Sequence, residues 1–466
     1  MPTVRSIRRT VLKVRQTRKI TIAGAGLAGS LLAVMLARKG FRVDVFERNP
    51  DPRRAGSLGG RSINLALAER GRHALQRAGL MEDVDTYTIP MRGRMMHALD
   101  GNQTFQPYGK DDSEVIWSTH RARLNLGMLE AADRRERVKL YFRHRLQAID
   151  WDKRELVCTA PDSDETHKHG FDILIGTDGA GSSVRQAMSE VTDLGVSEEL
   201  LDHGYKELNI PPGTDGDFQL DPNALHIWPR GGFMLIALPN ADFSFTLTLF
   251  LANEGSPAFS ELHDWPAQQA FMQDYFPDVV PLIAEMQRDF RDNPVGLLGT
   301  IRCKRWHLDE RALVMGDAAH AIVPFHGQGM NAAFEDCVAF MDCIEDPGRE
   351  WREVFADFQQ RRVDNANAIA DMALENYGIM RESVRNPRFL LRKALEHELE
   401  RRHPGHFVAR YSMVMFHLIP YAEAYRRGQV QDQILERLLD GIDTIEAVDY
   451  AQAERLINAQ LTVFSD

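Results

Sequence analysis

Three glycines spaced as Gly24-x-Gly26-x-x-Gly29 stand between a short apolar run and one rich in Ala and Leu. Glycines so placed serve a definite chemistry. Gly24 permits a tight turn, Gly26 lets the backbone approach a pyrophosphate, and Gly29 lets helix and strand pack closely, while the N-terminus of the helix that follows, with Leu27 in the turn before it, offers unpaired N–H groups to the anion. Glu47, at the end of the next apolar stretch, can accept hydrogen bonds from a ribose. A second constellation runs from Gly176 through Asp178 to Arg185. A third is Gly316-Asp317-Ala318-Ala319-His320, with Pro324 and Gly327-Gln328-Gly329-Met330-Asn331 behind it. Asp317 is placed to bind a sugar-like hydroxyl, with Gly316 allowing close approach.

These residues need particular elements under them. KITIA (Lys19 to Ala23) reads as a buried strand, Ser30 to Lys39 as a helix ended by Gly40, and FRVDVFE (Phe41 to Glu47) as a second strand, which together make a parallel βαβ crossover. Ile89 to Tyr108 has the pattern of a hairpin turning at Asp100-Gly101-Asn102, and a helix follows over about 121–135. Strands are expected at Val138 to Phe142, Glu155 to Ala160 and Phe171 to Gly179. Residues 200–302 alternate between apolar and polar positions in short segments, as in an antiparallel sheet. RALVMGDAAH returns to a buried strand running into a turn, a helix follows over about 328–343, and two long helical blocks, 350–400 and 407–461, are separated by His403-Pro404-Gly405. The expected fold is α/β: a Rossmann-type domain with a mostly parallel sheet from 20–88, 110–200 and 303–345, a substrate sheet from 89–109 and 201–302, and a helical region over 346–466.

Composition narrows the function. The 466 residues are 44% hydrophobic and 26% charged, an ordinary globular balance, and the net charge is −11. Residues 1–19 nevertheless carry seven basic side chains and no acid, so the remaining chain is more acidic than the total and a poor match for nucleic acid. The basic start and the apolar run from Ile20 to Ala37 have the outline of a signal peptide, and SIRRTVLK that of a twin-arginine export signal. The same run contains the glycine fingerprint, which export or embedding would remove, so residues 1–19 read as a disordered extension of a cytoplasmic protein without a membrane anchor. Four cysteines at no metal or redox spacing read as reduced thiols. His320 and His326 have no carboxylate trio beside them and HELERRH is not HExxH, so no metal is expected.

FAD and NAD(P) share the first device, and the other two motifs decide between them. In order and over some 300 residues, the three resemble those of the single-component FAD-dependent aromatic hydroxylases. A helix after Gly327-Gln328-Gly329 would aim its positive end at the flavin pyrimidine edge, favouring the anionic reduced ring by about 1 kcal/mol. The strings GRSINLAL, IPMRGRMMH, PYG, LHIWPR, GDAAHAIVPFHGQGMNAAFEDC and ENYGIMR narrow the resemblance to the kynurenine 3-monooxygenase family, over nearly the whole chain after Lys19. That resemblance implies FAD contacts at Ala28, Glu47, Arg48, Ala66, Arg121, Leu146, Asp317, Met330 and Asn331, the last two through backbone amides. It further implies that Arg94, Tyr108, Asn376 and Tyr411 hold the amino-acid end of the substrate, as a guanidinium fork and phenols suit a carboxylate.

Met234, Ile236 and Leu238 alternate on one strand, and Thr248 and Phe250 on another. Taken alone such sets read as core; the resemblance turns them, with Leu225, Pro324, Phe325 and His326, toward an aniline ring. It implies hydroxylation of L-kynurenine to 3-hydroxy-L-kynurenine by NADPH and O2 through a flavin C4a-hydroperoxide, in tryptophan degradation and NAD synthesis. The flavin does the chemistry and no catalytic side chain is expected. With a single fingerprint, NADPH has no domain of its own and binds transiently. The chain reads as a monomer or homodimer. A hydroxylase of another aromatic acid, a silent flavin-binding protein and a plain NAD-dependent dehydrogenase remain rivals, separable by flavin colour and kynurenine-dependent NADPH consumption.

Overall fold

The structure, a computed structural model, describes residues 19–54, 64–159, 165–346, 348–382 and 387–464. The expected N-terminal extension, apart from Lys19, and the first four residues of GRSINLAL lie outside the described residues. The chain divides into two compact units, Met1–Thr88 with Thr119–Leu200 and Gly299–Ala370, and Ile89–Ser118 with Leu201–Leu298 and Asp371–Asp466.

The first unit is built on six strands in the order His307–Leu308, Ala312–Val314, Ile173–Gly176, Lys19–Ala23, Arg42–Phe46, Val138–Tyr141. The inner pairings are parallel, and His307–Leu308 closes one edge antiparallel. Strands so rich in Ile, Val and Leu are buried on both faces, as a helix-covered parallel sheet requires. Helix Leu27–Arg38 is buried from Gly29 to Leu36. It begins earlier than the composition suggests, because Gly26 is extended and serves as its N-cap.

Strand Asn64–Leu67 and helix Glu69–Ala78 were not legible in the sequence. The helix carries three arginines and a glycine in ten residues, which masks its apolar stripe of Ala74, Leu75 and Ala78. Arg145–Asp150, Glu155–Thr159 and Thr166–Gly170 form a separate antiparallel sheet.

The second unit centres on a seven-stranded sheet, ordered Gly296–Arg302, Ser197–Ile210, Phe245–Ala252, Met234–Pro239, Ala224–Pro229, Gly93–His97, Gln103–Pro107. The expected hairpin is narrower than 89–108: Gly93–His97 pairs with Gln103–Pro107 across Gly101, whereas Ile89–Met91 pairs with the strand at Ile116. Nor is the sheet wholly antiparallel, since Ala224–Pro229 runs parallel to Gly93–His97. One face carries Leu235, Ala237, Leu247, Leu249 and Leu251, packed with Phe271, Met272 and Phe290 of two helices. The alternate residues point the other way.

The two expected helical blocks are broken further. Helices Trp351–Glu382 and Pro387–Arg402 make up the first, and Arg410–Met415, Tyr421–Leu438 and Tyr450–Gln460 the second. Pro387 opens one helix, Pro420 caps another, and Gly405 and Gly441 take the left-handed backbone that stops a helix.

Candidate cofactor and substrate sites

All three glycine motifs end parallel strands, so register alone assembles them. The strands ending at Ala23, Phe46, Gly176 and Val314 lie side by side, and backbone bonds lace their carboxyl ends together: Gly24 N to Phe46 O at 2.7 Å, Thr177 N to Ala23 O at 2.8 Å and Met315 N to Gly176 O at 3.0 Å. Ligands of open α/β sheets bind at this edge.

Gly24 has φ +98, and a Cβ there would lie 2.6 Å from Thr177 O. A Cβ at Gly29 would lie 2.0 Å from Gly24 O, so the helix sits directly on the turn. At Gly26 a Cβ would meet nothing within 4 Å, and open space in front of a helix start is what a pyrophosphate needs. The helix carries no side-chain cap and no acid in its first turn, leaving the N–H groups near Leu27 and Ala28 to an anion. The Glu47 carboxylate accepts from Ala25 N at 2.9 Å and Asn49 N at 2.8 Å, which fixes it at the lip of the turn beside exposed Arg48. The donor set, the open cradle and the uncapped helix fit a dinucleotide such as FAD.

Asp317 is exposed between buried neighbours, its carboxylate turned outward from Gly316, which has φ +58. Helix Gly329–Cys343 begins with no side-chain cap and no acid in its first turn. The Asn331 side chain is fully engaged inside the unit: its amide donates to Ala66 O at 2.8 Å and Gly327 O at 3.0 Å and accepts from Ala68 N at 3.0 Å. Only the main chain of Met330 and Asn331 is then offered to a ligand.

Asp178 is the cofactor contact expected of the second motif, and its carboxylate also caps the helix that follows. It accepts from Ser182 Oγ at 2.5 Å and Val184 N at 3.1 Å, so the next helix takes up both its oxygens. Arg185, the last residue of the second motif, donates to Ala180 O at 2.6 Å and Ala318 O at 3.0 Å and stitches the second motif to the third. Arg121 is the exposed first residue of helix Arg121–Asp133, and Leu146 is half-buried on the small antiparallel sheet. Pro324, Phe325 and His326 form a single turn ahead of Gly327, with Phe325 and His326 buried.

In the second unit, Arg94, Tyr108 and Tyr411 come together from positions more than 300 residues apart. The Arg94 guanidinium lies 5.4 Å from the Tyr108 ring centre and 4.9 Å from that of Tyr411, and the two rings stack at 5.8 Å. Arg94 is deep in the unit and still keeps accessible surface, as a side chain lining a cavity does. Burial opposes its charge, but Tyr411 and Tyr108 outweigh it and hold the group above its ordinary value. Burial raises both phenols, so they stay neutral. Among the described residues no carboxylate forms an ion pair with Arg94, which makes it a buried cation in want of an anion.

Leu225 lies opposite Arg94, Ile236 opposite Thr248 and Met234 opposite Phe250, so these residues and Arg94 share the sheet face turned away from the packed helices. Leu238, opposite Thr246, is on that face too. Asn376 stands on helix Trp351–Glu382 next to Glu375, whose pair with Arg410 at 2.9 Å brings this stretch of helix to the turn bearing Tyr411.

The second unit also holds a carboxyl cluster that the sequence did not reveal. Glu400 accepts from Ala409 N at 3.2 Å, and Glu114 accepts from Lys110 N at 3.0 Å. Burial pushes the Glu400 carboxyl up to about 7, with Glu114 and Glu396 adding to the rise and Lys110 opposing it. At a pH below its ordinary value of 4.5 both folded and unfolded chains hold this proton; between 4.5 and about 7 only the folded chain keeps it, so its contribution to stability is lost as pH rises. Glu400→Gln should therefore raise the thermal midpoint by about 1–3 °C near pH 8 and leave it unchanged near pH 4.5, as calorimetry at the two values would read.

Among the described residues no helix is long and apolar enough to cross a membrane. The family described as FAD binding domain matches residues 17–353. The chain is 49% identical over 447 residues to kynurenine 3-monooxygenase of Stenotrophomonas maltophilia, covering 96% of this chain and 98% of that one. It is 48% identical over 444 residues to the enzyme of the same name from Xanthomonas oryzae pv. oryzae, covering 95% and 97%. Among solved structures, the tetrameric form of 2-methyl-3-hydroxypyridine-5-carboxylic acid oxygenase superposes with a TM-score of 0.65 at 18% identity, over 81% of this chain and 96% of that one. Pseudomonas aeruginosa PqsL in complex with 2-aminobenzoylacetate gives 0.64 at 19%, over 78% and 96%, and both share the fold.

Proposed function

The chain belongs to the kynurenine 3-monooxygenase family of FAD-binding enzymes, and from that premise we propose that Arg94, flanked by Tyr108 and Tyr411, holds the carboxylate of L-kynurenine for hydroxylation of its ring. The enzyme is a flavin monooxygenase that converts L-kynurenine, O2, NADPH and a proton to 3-hydroxy-L-kynurenine, NADP+ and water. FAD, when bound, supplies the redox chemistry that activates O2 for transfer to the aromatic ring.

The chain's own residues supply position. A guanidinium fork accepts a carboxylate in two parallel bonds, and the two phenols give further donors without competing charge. Asn376 is neutral and suits the α-ammonium. Leu225, Met234, Ile236, Thr248 and Phe250 offer the ring an apolar face with one hydroxyl, and such a wall keeps water from the oxygen-transfer step. An aniline ring is electron-rich, so no general base is needed. On the FAD side, the first motif holds the pyrophosphate, Glu47 a ribose and Asp317 the ribityl chain. We place the enzyme in the cytoplasm, on its reduced cysteines, all four of which are free and buried.

The observation that carries this reading is the buried guanidinium held between neutral phenols, with no carboxylate in an ion pair with it among the described residues. Purified protein should be yellow, should consume NADPH faster with L-kynurenine than without, and should yield a product heavier by one oxygen atom. A yellow protein whose NADPH oxidation ignores L-kynurenine but responds to another aromatic acid would overturn the substrate assignment.

A further inference from the structure

Helix Gly329–Cys343 carries adjacent carboxylates, Glu335 and Asp336, in a stretch otherwise made of Ala, Phe, Val and Cys. Asp336 is completely buried. One of its oxygens, Oδ2, accepts from Gly316 N at 2.9 Å and from His320 Nε2 at 2.6 Å, the two ends of the Gly316–His320 turn. The other accepts from Arg362 Nε at 2.6 Å. Arg362 continues to Glu335 at 2.6 Å, and Glu335 to Arg70 at 2.6 Å, so two acids and two arginines close a neutral buried lattice. The His320 ring is stacked on Trp306 at 4.9 Å, which leaves its Nε2–H no other direction.

We propose that Asp336 is a positioning residue for FAD: by gripping both ends of the Gly316–His320 turn with one oxygen, it fixes where the Asp317 carboxylate stands relative to the backbone amides of Gly329 to Asn331 on its own helix. The inference rests on the reading of Asp317 as a ribityl ligand and deepens it. Geometry makes the grip specific. Gly316 has φ +58 and ψ −145, a conformation that favours glycine, and a Cβ there would lie 3.2 Å from Ala333 and 3.7 Å from Ala28. The turn is thus wedged between the first motif and the helix that bears Asp336. Burial works against the Asp336 charge, but His320, Arg362 and the Gly316 N–H hold its carboxyl well below the usual carboxylate range, so it remains an acceptor to all three. Among the described residues the polar partners of Glu335 are the two arginines, which separates holding the lattice together from holding the turn.

That separation supplies the test. Asp336→Asn keeps the shape and an acceptor for Arg362 but turns an amide donor toward Gly316 N–H. Its deflavinated apoprotein, titrated with FAD by fluorescence at a temperature where circular dichroism matches wild type, should bind at least about tenfold more weakly. Glu335→Gln should lower the apoprotein's thermal midpoint and leave the FAD dissociation constant within about twofold of wild type. If Asp336→Asn does not fold, His320→Phe keeps the ring on Trp306 and removes only the upper grip; a several-fold weaker FAD constant supports the proposal, and an unchanged one overturns it. Asp336→Asn binding FAD as wild type does, or Glu335→Gln losing as much affinity as Asp336→Asn, would likewise overturn it, whereas wild-type apoprotein that failed to take up FAD would instead sink the reading of Asp317.

Discussion

Arg94→Met should raise the KM for L-kynurenine by about two orders of magnitude while the FAD content stays at that of wild type. The size follows from what surrounds the side chain. On the proposed reading, a carboxylate entering this position loses its hydration and finds an opposite charge only in the guanidinium, since the flanking Tyr108 and Tyr411 are neutral and burial keeps them so. Without the cation, two phenols remain to desolvate an anion, a loss of several kcal/mol of the kind seen when one member of a buried charge pair is removed. Arg94→Lys keeps the charge and lacks the fork, so a smaller rise, about tenfold, is expected, with part of the NADPH consumed yielding peroxide because the ring is less well placed. The free protein should not suffer: a buried cation without an ion-pair partner is itself a cost, and the thermal midpoint of Arg94→Met should hold or rise. Steady-state kinetics and calorimetry on the same preparation check both halves, and an unchanged KM would mean the clamp is wrongly assigned.

Gly29→Ala should give protein without flavin and with a weakened apoprotein, whereas Gly26→Ala should lose flavin and nothing else. The two glycines are three residues apart and do different things. A Cβ at Gly29 would lie 2.0 Å from Gly24 O and 2.5 Å from Thr177 Oγ1. Relief means lifting helix Leu27–Arg38 from the strand ends, which breaks the Thr177 hydroxyl's bonds to Ala23 O and Gly24 O, both at 3.0 Å. Overpacking of this sort costs about 1–3 kcal/mol or more. A Cβ at Gly26 meets no protein atom within 4 Å, so the fold is indifferent to it; it would stand where a pyrophosphate has to come, and an FAD affinity lower by about a hundredfold is expected. Apoprotein melting and FAD titration tell the cases apart, and equal melting of the two variants would contradict the steric account.

The cofactor half was open to reading because each of its motifs is local. A glycine at a strand end leaves its mark within six residues, and a parallel sheet then has only one edge on which to gather the marks. Arg94, Tyr108 and Tyr411 leave no such mark: they come from a strand, a strand end and a short helix, and periodicity calls Tyr411 a packing residue. Resemblance singled them out where spacing had nothing to offer. Ser197–Ile210 escaped notice because Glu, Asp, Lys and Asn interrupt its apolar alternation, although it is a strand of fourteen residues whose last eight pair with Phe245–Ala252. Asp336 did leave a signal. Two neighbouring carboxylates in NAAFEDCVAF, on a helix too apolar to be exposed, require buried counter-ions, and Arg70 and Arg362 are those counter-ions.

The stacked phenols guard Arg94 with their faces and not with charge. Had a carboxylate of the chain itself neutralised the guanidinium, each arriving substrate would have had to evict it, and small anions in the cell would have met a site already satisfied. On the proposed reading the charge is left for the substrate's carboxylate, so aromatic acids of suitable length would compete with L-kynurenine for it and discrimination among them would fall to the apolar sheet face.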